Sequence, residues 1–106
     1  MAWVYLLGAG LLEIVWAFAM KQSDGFSRLM PTAIMAVTMV GSLTLLSLSM
    51  RSLPLGTAYM IWTGIGAVGT FILGVVCLGE AAGTLRLVAA VMIVAGLVLM
   101  KLASDA

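Results

Sequence analysis

Glu13 is the residue whose type and position most directly suggest chemistry. It lies inside an otherwise apolar run from Trp3 to Met20, and an ionised carboxylate near the centre of a bilayer is costly unless it faces protein or water. No basic residue lies one helical turn away on either side. A proton and a cation would compete for such a carboxylate, and this competition is the minimum requirement for exchange. The alternative is a protonated glutamic acid that only joins helices by hydrogen bonding.

Two other apolar runs carry polar groups, and those of the third run could hold this carboxylate. Tyr59 and Trp62 offer a phenol hydroxyl and an indole N–H from one stripe of a predicted helix. Ser42 lies in the middle of another run, one turn after Thr38, and its depth favours a functional role. Either hydroxyl could instead donate to a carbonyl of its own helix. The full stripe of the third run consists of Tyr59, Trp62, Thr63, Gly66 and Thr70.

The elements that must position these residues are four apolar runs. Only 8% of the 106 residues are charged and 64% are hydrophobic, whereas soluble domains carry about 25% charged residues. Charges, proline and glycine separate the runs and predict helices at about 3–20, 29–50, 57–78 and 85–103. We therefore expect an all-α integral membrane protein with four transmembrane helices, forming a single domain over residues 1–106.

The composition also disfavours several classes of protein. With no histidine and one cysteine, we expect no metal site and no cofactor. A net charge of +1 does not indicate the basic surface that binds nucleic acid. The sequence offers no nucleophile paired with a general base, so an enzyme is not expected. The segment from Gly64 to Gly69 matches G-x-G-x-x-G, but it lies within an apolar run and follows no strand, so a dinucleotide site is not expected.

The positive charges hardly distinguish the two sides of the membrane. One side would hold three basic residues and the other two, so the usual bias towards cytoplasmic lysine and arginine is nearly absent. Four short helices also cannot enclose a solvated path while shielding it from lipid. Both observations favour insertion in two orientations and an antiparallel homodimer, which forms an inverted repeat from identical chains. The alternative is a single orientation chosen by a weak bias or by the insertion machinery.

Small residues indicate where helices could approach closely. Ala89 and Gly96 lie one heptad apart in the fourth run and are candidates for a dimer seam. Gly66, Thr70 and Gly74 recur every four positions in the third run. This row fits either a contact face or a bend, and the bend would be centred on Gly64 and Gly66.

Three segments carry a family resemblance over nearly the whole chain. They are residues 10–17 (GLLEIVWA), residues 25–28 (GFSR) with Lys21 before them, and residues 52–66 (SLPLGTAYMIWTGIG). With these segments the chain resembles the small multidrug resistance family and, within it, the guanidinium exporter branch. The resemblance implies a multi-pass protein of the bacterial inner membrane that works as an antiparallel dimer, with helices one to three lining the site and helix four dimerising.

The resemblance also implies roles for individual positions. Gly10 would leave room beside the mid-membrane carboxylate, and Trp16 would form an aromatic wall. Ser42 and Trp62 would hydrogen-bond the carboxylate. Tyr59 would act as a gate between two arrangements of helix three.

The expected substrate is a small planar cation. Guanidinium matches carboxylates through its flat donor edges, so the family branch implies proton-coupled export of guanidinium at a pair of Glu13 residues, with two protons per cation. Met60 departs from the small residue expected there and is a candidate specificity residue. Singly substituted guanidines such as guanylurea are therefore included. The alternatives are a multidrug exporter of bulky quaternary or aromatic cations and one subunit of a heteromeric pair.

Overall fold

The chain forms four helices, as described by a computed structural model for residues 1–103. The helices are α1 (Ala2–Gln22), α2 (Leu29–Ser49), α3 (Leu55–Leu78) and α4 (Thr84–Ala103). Each is long and apolar enough to cross a membrane, at 20 to 24 residues and about 1.5 Å of rise per residue. The prediction of an all-helical chain with four spans is confirmed.

Proline and glycine set the two ends of α3. The helix begins two residues earlier than the predicted Thr57, because Pro54 caps it and accepts the N–H of Ala58 through its carbonyl at 3.0 Å. At the other end Gly79 adopts a left-handed conformation with φ of 69°, which glycine reaches without steric cost. This turn directs the chain back along α3 towards α4.

The loop between α1 and α2 is tied together by Ser23. Its buried hydroxyl donates to the carbonyl of Met20 at 2.7 Å and accepts the N–H of Phe26 at 3.1 Å. Asp24, Gly25 and Phe26 all have positive φ, at 50°, 71° and 69°. The segment GFSR, which carries part of the family resemblance, therefore belongs to a compact turn between α1 and α2.

The helices pack in the order α2, α1, α3, α4. Helix α1 lies between α2 and α3, and α4 packs along α3. The ammonium group of Lys101 also lies 4.2 Å from the ring centroid of Trp3, which links the end of α4 to the start of α1. The buried core joins the first three helices through Leu6, Ala9, Leu46, Leu53, Ala58, Ile61 and Trp62.

The subunit is a thin slab. Its extents are 43 × 34 × 16 Å, and 16 Å is less than two helix diameters of about 10 Å each. Helix α4 buries none of its residues within the subunit. One copy of the chain thus presents long apolar faces on either side of its helices and does not surround a path across the membrane.

Candidate functional site

The Glu13 carboxylate lies between α1 and α3, directly against Gly66. A Cβ atom built at Gly66 would overlap the carboxylate carbon and both oxygens. The absence of a side chain at Gly66 therefore makes the space in which Glu13 lies. This explains the small residue at Gly66 more directly than a bend, and α3 is continuous through this position.

Two buried polar atoms at this position lack a partner within residues 1–103. They are Oε1 of Glu13 and Nε1 of Trp16, which lies one turn further along α1. Buried polar groups are nearly always hydrogen-bonded, and an unpartnered one calls for an explanation. A carboxylate oxygen and an indole N–H one turn apart on α1, both without a partner in the described residues, are groups that a cation and its aromatic wall could use, and this role stays a prediction.

Ser42 and Trp62 form a hydrogen-bonded bridge from α3 through α2 to α1. The indole Nε1 of Trp62 donates to Ser42 Oγ at 3.0 Å, and Ser42 Oγ donates to the carbonyl of Ala9 at 2.7 Å. The structure therefore differs from the expectation that both residues bond Glu13 directly. Ala9 lies one turn before Glu13, so the bridge fixes the stretch of α1 that carries the carboxylate. Direct bonds to Glu13 stay a prediction.

The two hydroxyls of α2 that the sequence left open have different partners. Thr38 donates to the Ile34 carbonyl of its own helix at 2.7 Å, whereas Ser42 is fully buried and bonds across to α1. Helix-internal bonding is the usual state of such hydroxyls in membrane helices. Ser42 thus makes an interhelical contact, and its functional role stays a prediction.

The donor stripe of α3 is only partly turned towards Glu13. Trp62 and Gly66 are buried, while Tyr59 and Thr63 are exposed. Tyr59 packs against Trp62 with ring centroids 5.3 Å apart at an angle of 58°. Thr70 donates to the carbonyl of Gly66 at 2.7 Å. The tyrosine is therefore positioned at the edge of the site, beside the hydrogen-bonded bridge.

Gly10 and Gly64 are contact points between helices. A Cβ at Gly10 would lie 2.6 Å from Cγ2 of Ile65, so the space at Gly10 is filled by a side chain of α3. This differs from the expectation that Gly10 makes room for the carboxylate, because α1 turns Glu13 towards Gly66. A Cβ at Gly64 would overlap Leu97 of α4. Close packing accounts for both glycines, and the bend at Gly64 and Gly66 stays a prediction.

The proposed seam and the specificity residue lie on open faces. Ala89 is exposed, and a Cβ at Gly96 would meet no atom within 4 Å. Met60 is exposed and borders an apolar groove of about 490 Å³ between α3 and α4, with Gly96 in its wall. These positions are available to a second copy of the chain, and their roles stay predictions.

A cleft near Glu13 was not predicted from the sequence. It has a volume of about 430 Å³ and begins at Ala17, one turn after Glu13. It extends to the α3–α4 loop, where Glu80 and Arg86 line it together with Lys21. The sequence feature that could have indicated this cleft is the spacing of Glu80 and Arg86. These opposite charges lie six residues apart in a chain with only nine charged side chains.

Four helices able to span a membrane, with a carboxylate held between two of them, are typical of a small membrane transporter. The family model described as Small Multidrug Resistance protein matches residues 1–94. The chain therefore belongs to the small multidrug resistance family, and it is a multi-pass protein of the inner membrane.

Relatives in three bacteria narrow the class further, and each is named "Guanidinium exporter". The relative from Yersinia pseudotuberculosis is 56% identical over 104 residues, covering 98% of this chain and 100% of the relative. The relative from Salmonella typhimurium is 54% identical and that from Escherichia coli 51% identical, each covering 98% of this chain and 99% of the relative.

Proposed function

We propose that the chain is a proton-coupled antiporter that exports guanidinium and small, singly substituted guanidinyl cations such as guanylurea. The observation that carries this proposal is the buried, unpartnered Oε1 of Glu13, held against Gly66 at the α1–α3 contact. A carboxylate in this setting needs either a proton or a cation. The relatives named guanidinium exporters support the guanidinyl cation as the substrate.

Guanidinium suits the groups around Glu13. Its planar N–H edges pair with a carboxylate in a bidentate manner, and its flat face stacks on an aromatic ring. Glu13 would provide the carboxylate and Trp16 the aromatic wall. The bridge of Trp62, Ser42 and Ala9 would hold α1 in position, and Tyr59 at its edge would gate access.

Proton coupling follows from competition at one group. A protonated Glu13 has no charge to attract the cation, and a bound cation requires the ionised form, so each ligand displaces the other. In a site built from two Glu13 residues both must ionise, which gives two protons per exported cation. Alternating exposure of this site to the two membrane faces would turn the competition into exchange.

The functional unit in this proposal is an antiparallel homodimer in the lipid bilayer. Three observations support it: the balanced basic residues, the 16 Å thickness of the subunit and the lack of any buried residue in α4. Helix α4 would form the seam through Ala89 and Gly96, where small residues permit close approach. The second copy would also cover the open side of the Glu13 site.

The test is the current carried by purified protein in vesicles on a solid-supported membrane. We expect currents on perfusion with guanidinium and guanylurea, weak or no current with tetraphenylphosphonium, and no guanidinium current from Glu13→Gln. Asp24→Asn is the matched control, because it neutralises an acid in the α1–α2 loop at a left-handed position that asparagine tolerates.

Two outcomes would contradict the proposal. Guanidinium exchange by Glu13→Gln at the wild-type rate would remove Glu13 from the mechanism. Currents dominated by tetraphenylphosphonium would show a multidrug exporter and direct attention to the groove beside Met60.

A further inference from the structure

Helix α3 receives two carboxylates on one face. Glu13 lies against Gly66, and the Glu80 carboxylate lies against Gly74, where a Cβ atom would come within 2.5 Å of Oε1. The two glycines are eight residues apart, with Thr70 midway between them. At 1.5 Å per residue the carboxylates occupy positions about 12 Å apart along the helix. The row of Gly66, Thr70 and Gly74 thus has a carboxylate against the glycine at each end.

The backbone at the end of α3 positions Glu80. Left-handed Gly79 turns the chain, and the N–H of Glu80 donates to the carbonyl of Gly74 at 3.0 Å. The carboxylate therefore lies beside the C-terminal end of a 24-residue helix, where the helix dipole is negative. This location is unfavourable for an anion on its own and favours a bound cation.

The cation next to Glu80 is the guanidinium group of the chain itself. Arg86 Nη2 lies 3.8 Å from Oε1 of Glu80, and Arg86 Cζ lies 4.9 Å from the ring centroid of Phe71. Arg86 Nη1 donates to the carbonyl of Ala81 at 2.5 Å. A carboxylate, an aromatic face and a carbonyl are the groups that recognise a guanidinium ion. The same chemical group as the proposed substrate thus already lies in this setting.

The internal pair is loose enough to exchange. The side chains of Arg86 and Glu80 are 46% and 43% exposed, and 3.8 Å is longer than a hydrogen bond. Exposed ion pairs contribute little to stability. A free guanidinium ion is not tethered, so it could approach Glu80 at hydrogen-bonding distance. The adjoining cleft of about 430 Å³ runs from this pair to Ala17, one turn from Glu13.

We propose that Glu80 and Phe71 form an outer binding site for guanidinyl cations in the cleft that extends to Ala17, one turn from Glu13. Arg86 occupies this site when no substrate is bound and competes with the incoming cation. The proposal rests on the proposed export of guanidinyl cations, since it concerns how that substrate reaches Glu13.

The test compares the KM for guanidinium of Glu80→Gln and Arg86→Gln in reconstituted vesicles. Glu80→Gln removes the receiving carboxylate, and we expect KM to rise about fivefold while the maximal rate stays within about twofold of wild type. Arg86→Gln removes the competitor, and we expect KM to fall about threefold. Opposite directions are the signature of a competing internal ligand. If the pair only stabilised the loop, the two variants would change KM in the same direction or lower the maximal rate together.

Two control variants separate competition from a general field effect. Lys21→Gln removes a positive charge from the same cleft without releasing a carboxylate, so its KM should match wild type. Arg86→Lys keeps the charge and loses the planar fork, so its KM should lie between those of wild type and Arg86→Gln. An equal decrease of KM in Lys21→Gln and Arg86→Gln would overturn the outer site.

A binding measurement covers the case in which a variant transports poorly. In Glu13→Gln protein, titration with guanidinium should retain one weak binding event, and adding Glu80→Gln should remove it. Weak binding that survives in the double variant would contradict the outer site. Guanidinium transport by wild type with unaltered KM in both Glu80→Gln and Arg86→Gln would refute this inference alone, whereas wild type without guanidinium transport would refute the proposed function.

Discussion

The two carboxylates on α3 make the same contact in opposite surroundings. Each lies against a glycine of one helix face, but Glu13 has a buried oxygen without a partner within residues 1–103, while Glu80 is exposed and paired with Arg86. A carboxylate removed from water is costly to leave ionised and unpaired, so it takes up either a proton or a cation, and one is released as the other binds. Exposure makes the binding weak and fast. The first setting suits coupled exchange, and the second suits capture at the entrance.

Matched glycine substitutions test this comparison most directly and have the largest expected effect. Gly66→Ala places a methyl group in the space of the Glu13 carboxylate, so we expect guanidinium transport to fall by about a hundredfold or more. Gly74→Ala displaces the Glu80 carboxylate in the same manner and should raise KM only about fivefold. Vesicle currents over a range of guanidinium concentrations measure both.

Comparing Gly66→Ala with Gly74→Ala distinguishes the roles of the two carboxylates even if each substitution shifts α3 slightly. Gly56→Ala is the control, because a Cβ there would meet no atom within 4 Å. Equal losses in Gly66→Ala and Gly74→Ala would mean that α3 tolerates no substitution on this face, and the distinction between an inner and an outer site would fail.

The pH dependence of transport also separates the Glu13 site from the Glu80 site, with a smaller expected effect than the glycine substitutions. In the proposed mechanism protons compete with guanidinium at Glu13, so lowering the pH should raise the KM for guanidinium, by about tenfold per pH unit for one carboxylate and up to about a hundredfold for a coupled pair. The increase should appear below the pH at which Glu13 ionises and level off above it. Glu80→Gln should shift every point by the same factor. A KM independent of pH in wild type would contradict competition at Glu13.

The number and approximate bounds of the transmembrane helices could be predicted from the sequence, whereas the contacts within the site could not. The four helices depend on apolar runs and on the proline, glycine and charges between them, which are visible in the chain itself. The depth of Glu13 follows from the same runs. The helices differ from their predicted ends by only one or two residues at positions such as Pro54, where a cap extends the helix.

The contacts depend on how each helix is rotated about its axis, and composition does not report this rotation. Trp62 was recognised as a donor, but its partner proved to be Ser42 because α2 presents the serine between α1 and α3. The position of Glu80 over Gly74 requires the left-handed conformation of Gly79, and the sequence predicts a turn there without indicating where the Glu80 side chain lies. The dimer seam and the substrate stay predictions because they involve molecules other than this chain.

The bridge through Ser42 allows a last prediction, on stability, with the smallest expected effect. Ser42→Ala leaves the buried Trp62 Nε1 without its acceptor and the Ala9 carbonyl without its interhelical donor, so the free energy of unfolding should fall by about 1–3 kcal/mol. Thr38→Val is the matched control: it removes a hydroxyl that bonds only within α2 and keeps the side-chain shape, so its change should stay within about 0.5 kcal/mol. Unfolding in mixed micelles measures both variants.

Because the bridge ends at Ala9, one turn from Glu13, Ser42→Ala should also weaken guanidinium binding, while Thr38→Val should not. A destabilised Ser42→Ala protein with wild-type guanidinium affinity would show that the bridge holds the helices together without positioning the carboxylate.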